Sequence, residues 1–278
     1  MIRVQGLRCG YGANDVLRDV DLEIPSGGIV GVLGPNGSGK TTLLHALSGI
    51  LAPREGRVWM EDRDLSATST RWRARRLASV AQRPSVTFPF RCLSVVLMGR
   101  SPHLSRWGGY TAGDIAAAMG AMEQTGTLPL AERLITEVSG GEAQRVAIAR
   151  ALAQDPSILL LDEATSSLDV ARKIQVFDLL VRKNREQGTT IVCAMHDLNL
   201  AALYCDRLIF LKDGGIALDG ATHALFTRAN LSAIYGTPVM VSQHPVTGDP
   251  QAHFVPGGLD RPDPAGSHER DGSRRRGG

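Results

Sequence analysis

Long apolar runs are missing from this 278-residue chain: none approaches the ~18 consecutive residues that a membrane-spanning helix needs. The opening MIRVQGLRCGYG lacks the apolar stretch of a secretory signal, so a protein of the cell interior is expected. Charge of one sign is scarce too. Thirty-one Lys and Arg against 28 Asp and Glu leave a net +3, too little to argue for nucleic acid as a partner. The four cysteines, Cys9, Cys92, Cys193 and Cys205, form no close pair, so neither a disulfide framework nor a zinc site is suggested, which fits a reducing compartment. There is no internal repeat and no N-K-x-D guanine motif. What is present, 43% apolar and 21% charged residues, is ordinary for a globular protein with one large domain or two small ones and a real core.

The first segment reads as β-rich. VDLEI alternates Val20, Leu22 and Ile24 with Asp21 and Glu23, the period of a half-buried strand. GIVGVLG is apolar on both faces, as in a strand inside a sheet, and runs through GPNGSGKTT into the helical LLHALSGIL. From Phe88 to about Ala153 the pattern is mostly helical with glycine breaks. Strands return at SILLLDE and TTIVCAMHD with a helix between them, a βαβ alternation that predicts a parallel sheet. RLIFLKDGGIALDG reads as a hairpin turning at Asp213-Gly214. The last stretch, 257–278, is rich in Gly, Pro and charge with almost no apolar residues, and is expected to be a disordered, solvated tail.

Three stretches carry chemistry. Gly34-Pro35-Asn36-Gly37-Ser38-Gly39-Lys40-Thr41 fits the phosphate-binding pattern G-x-x-x-x-G-K-[ST], preceded by a strand and followed by a helix. The glycines let backbone N–H groups turn onto a phosphate chain, Lys40 reaches its outer phosphates, and the Thr41 hydroxyl is a Mg²⁺ ligand. Without a guanine motif, the nucleotide expected is ATP. ILLLDE places Asp162 and Glu163 at the carboxyl end of a strand, where ligands of open α/β sheets sit. Asp162 is expected to hold Mg²⁺ and Glu163 to polarise an attacking water. His196 ends the next strand, at the same sheet edge. VSGGE, at 138–142, is the third. Ser139 and Glu142 form a capping box, as at any ordinary helix start, yet Gly140 and Gly141 are poor helix residues, each costing ~1 kcal/mol relative to alanine in a helix interior. A second bare helix N-terminus makes sense if two chains pair head to tail and each closes the other's nucleotide.

Taken together and in this order, over about residues 1–240, these motifs resemble those of the nucleotide-binding subunit of ABC transporters. GPNGSGKT is similar to its Walker A, with Thr42 following; ILLLDE to its Walker B; VSGGE to its signature, with Val138 in place of leucine. SSLD resembles the D-loop, with Ala164 in place of the usual proline just before it; His196 resembles the switch histidine, Gln82 the Q-loop, and Tyr11 the adenine-stacking aromatic. The resemblance implies a P-loop NTPase (RecA-like) core, an antiparallel β subdomain and an inserted helical subdomain at about 88–153, with 241–256 as a C-terminal extension. It implies ATP and Mg²⁺ as cofactors, Mg²⁺ being held by Thr41, Gln82 and Asp162. Glu163, His196 and Lys40 become catalytic, while Ser139, Gly140, Gly141 and Glu142 act in trans on the partner's nucleotide and Asp169 crosses the interface.

FPFRCLSVVLMGRSPHLSRW carries a V-x-x-G-R-x-P-H pattern, and it and the later IYGTPVMVSQHPVTG resemble the importer subgroup handling iron-siderophores, haem and cobalamin. The partners this implies are a second copy of the chain, integral membrane permease subunits and, indirectly, a periplasmic or extracellular substrate-binding protein, with the chain peripheral on the cytoplasmic face of the membrane. Met98, Arg100 and His103 are expected to face the permease. The competing classes are a soluble ABC ATPase acting on DNA or ribosomes, usually marked by two cassettes, coiled-coil insertions or zinc motifs, and a transporter subunit for another substrate.

Overall fold

The computed structural model describes residues 1–82, 88–105 and 108–256. The expected tail at 257–278 lies outside the described residues, as do Arg106 and Trp107 of the GRSPHLSRW stretch.

The chain starts with β1 (Ile2–Tyr11) and β2 (Asn14–Ile24), antiparallel with Ile2 opposite Ile24. The alternation seen in VDLEI holds: Val20, Leu22 and Ile24 are buried, Asp21 and Glu23 exposed. After β3 (Ile29–Leu33) and α1 (Lys40–Ser48) come β4 (Glu55–Met60), β5 (Arg63–Asp64), the short α2 (Thr70–Ala74) and β6 (Leu77–Val80). A helical block follows: α3 (Cys92–Leu97), a 3₁₀ segment Met98–His103, α4 (Ala112–Gln124) and α5 (Gly140–Ala153). Then β7 (Ile158–Asp162), α6 (Val170–Gln187), β8 (Thr190–Ala194), α7 (Leu198–Tyr204), β9 (Arg207–Lys212) and β10 (Gly215–Ala221) complete the main layers. Two short helices, α8 (Thr222–Leu225) and α9 (Arg228–Tyr235), lead to a hairpin of β11 (Val239–Gln243) and β12 (Pro250–Phe254).

The central sheet has the order β10-β9-β3-β8-β7-β6, parallel except for the β10 edge. A second, antiparallel sheet runs β2-β1-β4-β5. This is the expected core plus antiparallel subdomain. The central strands are apolar on both faces because both faces are covered. Ile29 and Leu33 of β3 pack with Phe177 and Leu180 of α6, whereas Val30 and Val32 pack with α1 and the antiparallel sheet. A third core lies within the helical block, where Val95 and Val96 meet Met122, Val146 and Ala149.

Helix α5 belongs to two of these cores. Val146, Ala149 and Ala153 face the helical block, while Ala147, Ile148 and Ala151 face the central sheet. The hairpin between β9 and β10 turns at Asp213 and Gly214, both with positive φ, as the sequence indicated. Position 240 falls inside β11; Val239 and Ala252 lie in the main core, and Asn199 of α7 bonds both the N–H and the carbonyl of Ala252. All four cysteines are free and buried. Among the described residues no helix is long and apolar enough to cross a membrane.

Candidate functional site

Strand β3 delivers the loop 34–39 to the N-terminus of α1. Gly39 caps that helix at φ 105, with no side-chain cap, so the first N–H groups of α1 are left bare. A Cβ at Gly39 would strike Leu17, which holds the loop against the antiparallel sheet. Asn36 and Gly37 are exposed, Pro35 is half-buried, and Ser38, Lys40 and Thr42 are buried. The Lys40 ammonium folds back onto its own loop, donating to the carbonyls of Gly34 at 3.0 Å and Pro35 at 3.1 Å. Burial holds its pKa below the ordinary lysine value, against the opposing pull of Glu163 and Asp162.

At the carboxyl end of β7, Asp162 is buried and accepts a 3.0 Å hydrogen bond from the Thr41 hydroxyl. Burial pushes its carboxyl pKa up, and the Thr41 bond opposes that. Glu163 follows at φ 48, a left-handed conformation that costs a non-glycine residue about 1–2 kcal/mol. Two backbone bonds hold it there, its N–H to the Ala194 carbonyl at 3.0 Å and its own carbonyl from the Ser166 N–H at 2.9 Å. This bend turns the carboxylate toward two side chains. Gln82, two residues past β6, donates to Glu163 Oε2 at 2.6 Å, and His196, two residues past β8, brings Nε2 onto Glu163 Oε1. Since β8 lies between β3 and β7, the three strand ends converge beside the 34–41 loop.

The donor set fits a phosphate chain and a hard cation. The buried Ser38 hydroxyl has no hydrogen-bond partner among the described residues, and it immediately precedes the uncapped N-terminus of α1. The Thr41 hydroxyl and Asp162 carboxylate are oxygen ligands of the kind Mg²⁺ takes. Among the described residues no three His, Cys, Asp or Glu side chains cluster as a metal site.

Tyr11 ends β1 half-exposed, its hydroxyl 2.8 Å from His45 Nδ1 on α1. His45 was not singled out from the sequence; the pairing exists only because the β1 end meets the second turn of α1.

The signature stretch lies elsewhere. Ser139 caps α5, and its N–H and hydroxyl both donate to Glu142 at 2.8 Å, which draws the Glu142 pKa below the usual carboxylate range. Gly140 is open to solvent, and Gly141 faces Leu168 and the Ser167 carbonyl. Among the described residues no side-chain hydrogen bond joins 139–142 to 34–42 within one chain. Asp169 caps α6, accepting from the Arg172 N–H at 2.8 Å. Gln144, also missed, is fully buried on α5 and donates to the Ala81 carbonyl at 3.1 Å, tying this helix to the root of Gln82. Its signal was a polar residue on an apolar helical stripe, three and four positions before Ala147 and Ile148.

The reading of Arg100 and His103 as permease contacts needs correction. Both point inward: Arg100 pairs with Asp114 at 3.0 Å and with the Ala153 carbonyl at 2.9 Å, and His103 bonds the Gln154 carbonyl at 2.9 Å. Only Met98 of the three is exposed.

The ABC transporter profile matches residues 17–166. This chain belongs to the ABC transporter family. It is 42% identical over 255 residues to the hemin import ATP-binding protein HmuV of Pseudomonas putida, covering 90% of this chain and 98% of that protein. It is also 42% identical over 245 residues to the cobalamin import ATP-binding protein BtuD of Halobacterium salinarum; the match takes in 88% of this chain but spans only 61% of that relative's length. Among solved structures, a chain from a transporter described as metal-chelate type, captured facing inward, superposes with a TM-score of 0.78 at 31% identity, covering 92% of this chain and 96% of the other. The ABC fold seen here is thus shared by ATP-binding subunits.

Proposed function

We propose that this chain is the ATP-hydrolysing subunit of an ABC importer for a metal chelate of the haem, cobalamin or iron-siderophore class. The observation that carries the ATPase reading is the grip on Glu163: both carboxylate oxygens are held by donors, Gln82 and His196, at the strand edge that also bears Thr41, Asp162 and Lys40. A carboxylate so aimed is a general base for water, a role worth ~10²–10⁴-fold.

Lys40 exchanges its two loop carbonyls for phosphate oxygens, Ser38 and the α1 N–H groups take the others, and Tyr11 offers its ring face to adenine. Thr41 and Asp162, with Gln82 nearby, would hold Mg²⁺, which when bound would supply charge neutralisation at the transferred phosphoryl group. His196 keeps Glu163 in place through Oε1. Oε2 becomes free to accept a proton from water once Gln82 releases it, so Gln82 couples the base to whatever moves the segment after β6. Ser139 and Gly141, which share no side-chain hydrogen bond with the 34–42 loop among the described residues, serve the nucleotide of a second copy in a head-to-tail dimer, and Asp169 lies at that interface.

The importer reading rests on the likeness to import subunits for hemin and cobalamin and to a metal-chelate transporter. It places the chain on the cytoplasmic face of the membrane, with permease subunits seated against the helical segment near Met98 and a substrate-binding protein beyond them. Reconstitution with the neighbouring permease and binding protein, followed by uptake of labelled haem, cobalamin and ferric siderophore, tests it. ATP-dependent uptake of at least one chelate is expected; uptake of sugars or amino acids alone overturns the substrate class.

A further inference from the structure

Tyr11 stands at the tip of a thin ribbon. Strand β1 pairs with β2 out to Tyr11 opposite Asn14, but its pairing with β4 ends at Arg8 opposite Glu55. The last three residues of β1 are therefore paired on one side only, and the turn beyond them is just Gly12 and Ala13, with Gly12 at φ 57. A two-stranded ribbon is marginally stable in water. A half-exposed ring carried on such a tip needs other holds to keep one position.

Two side chains supply them. Arg54, the residue before β4, gives its backbone N–H to the Arg8 carbonyl at 2.8 Å. Its guanidinium donates to the Gly12 carbonyl, to the Ala13 carbonyl at 3.3 Å and to Asp15 at 2.5 Å. Asp15 also accepts from Arg8 Nε at 2.6 Å, so both arms of the hairpin and its turn meet at Arg54. From the other side His45 Nδ1 lies 2.8 Å from the Tyr11 hydroxyl. His45 is itself well anchored. Its carbonyl accepts from the Ile50 and Leu51 N–H groups at 3.0 and 3.1 Å and from the Ser48 hydroxyl at 2.9 Å, while Leu43, Leu44 and Leu47 bury the same helix in the core.

From this geometry we infer that His45 and Arg54 are positioning residues that fix the Tyr11 ring as a platform for the nucleotide's base. The inference rests on the proposed reading of Tyr11 as the face offered to adenine. His45 stands five residues after Lys40 on α1, a rise of about 7.5 Å. The anchor of the base platform and the lysine of the phosphate loop thus share one rigid helix, which sets the spacing between base and phosphates. A ring already held in place loses less freedom when a base stacks on it, so the two holds raise affinity for the base and leave the phosphate contacts alone.

The test compares ADP with pyrophosphate, which offers phosphates without a base, by calorimetric titration of the full chain with Mg²⁺ present. His45→Leu, Tyr11→Phe and Arg54→Met are each expected to weaken ADP about three- to tenfold and to leave pyrophosphate within about twofold. Tyr11→Phe combined with His45→Leu is expected to be no weaker than either alone, because both remove the same bond. His45→Asn, which keeps a polar atom near the place of Nδ1, is expected to hold ADP affinity within about twofold. Equal losses for ADP and pyrophosphate, additive losses in the double variant, or His45→Asn as damaging as His45→Leu overturn the hold by His45; unaltered ADP affinity in Arg54→Met overturns the part given to Arg54. If Tyr11→Ala leaves the ADP-to-pyrophosphate ratio unchanged, the reading of Tyr11 fails instead. Fluorine NMR of the chain carrying 3-fluorotyrosine at its four tyrosines then decides the hold alone. The Tyr11 signal, assigned by its loss in Tyr11→Phe, is expected to move toward that of free fluorotyrosine in His45→Leu, and an unmoved signal overturns the hold.

Discussion

Gln82 and Glu163 are joined by a 2.6 Å hydrogen bond although they leave the ends of two neighbouring strands, β6 and β7. The bond occupies the carboxylate oxygen that His196 leaves free, so the proposed base rests in a held state. Removing Gln82 takes away this hold and with it the link to the segment that follows. Gln82→Ala is expected to keep basal hydrolysis within a few-fold while lowering stimulation by the permease about tenfold, a loss of ~1.4 kcal/mol in the stimulated barrier. Steady-state ATPase assays with and without permease in vesicles measure both numbers.

Two lesions in different halves of the composite site are expected to complement. Lys40→Ala removes the cation for the outer phosphates and weakens nucleotide binding by the single chain. Ser139→Arg spares that binding and blocks the paired state. In a mixed dimer one site carries both lesions and the other carries neither, so part of the activity returns if each site fires alone. Equal loss of single-chain ATP affinity in both variants, measured by titration, contradicts action in trans.

The Arg100–Asp114 pair has a pH signature. The Thr111 N–H and hydroxyl, and then Arg100, hold the Asp114 carboxyl at about 2, against ~3.9 for an unstructured aspartate. A carboxylate with a lowered folded pKa contributes stability that is complete above the unfolded value and fades as pH falls toward the folded one. The stability gap between the unaltered protein and Asp114→Asn, from urea unfolding, is therefore expected to be flat from pH 7 to about 4 and to shrink between about pH 4 and 2. A gap that is constant down to pH 2.5 contradicts the lowered Asp114 pKa and the Thr111 and Arg100 bonds that hold it there.

Much of this site was legible in the sequence. G-x-x-x-x-G-K-T requires a strand before it and a helix after it, and β3 and α1 stand in those places. The apolar run before Asp162 and Glu163 fixed their place at a strand end. Direction was harder to read. In GRSPH nothing in the spacing says which way Arg100 and His103 point; that depends on a 3₁₀ turn and on where α5 ends in space. The Tyr11–His45 contact and the Gln144 bond to the Ala81 carbonyl likewise join residues 34 and 63 positions apart, through packing that local pattern does not encode. Asp169 and Glu142 were expected to serve a partner; here each also closes the first turn of its own helix.

Glu163→Gln is the most direct measurement of the central claim. Glutamine keeps the shape between Gln82 and His196 but cannot take a proton from water. In the reconstituted transporter, ATP turnover by this variant is expected to fall by ~10²–10⁴-fold with ATP affinity unchanged and an ATP-bound dimer accumulating on size-exclusion chromatography. Turnover close to that of the unaltered protein would contradict the assignment of Glu163 as the base, and with it the account of how this site works.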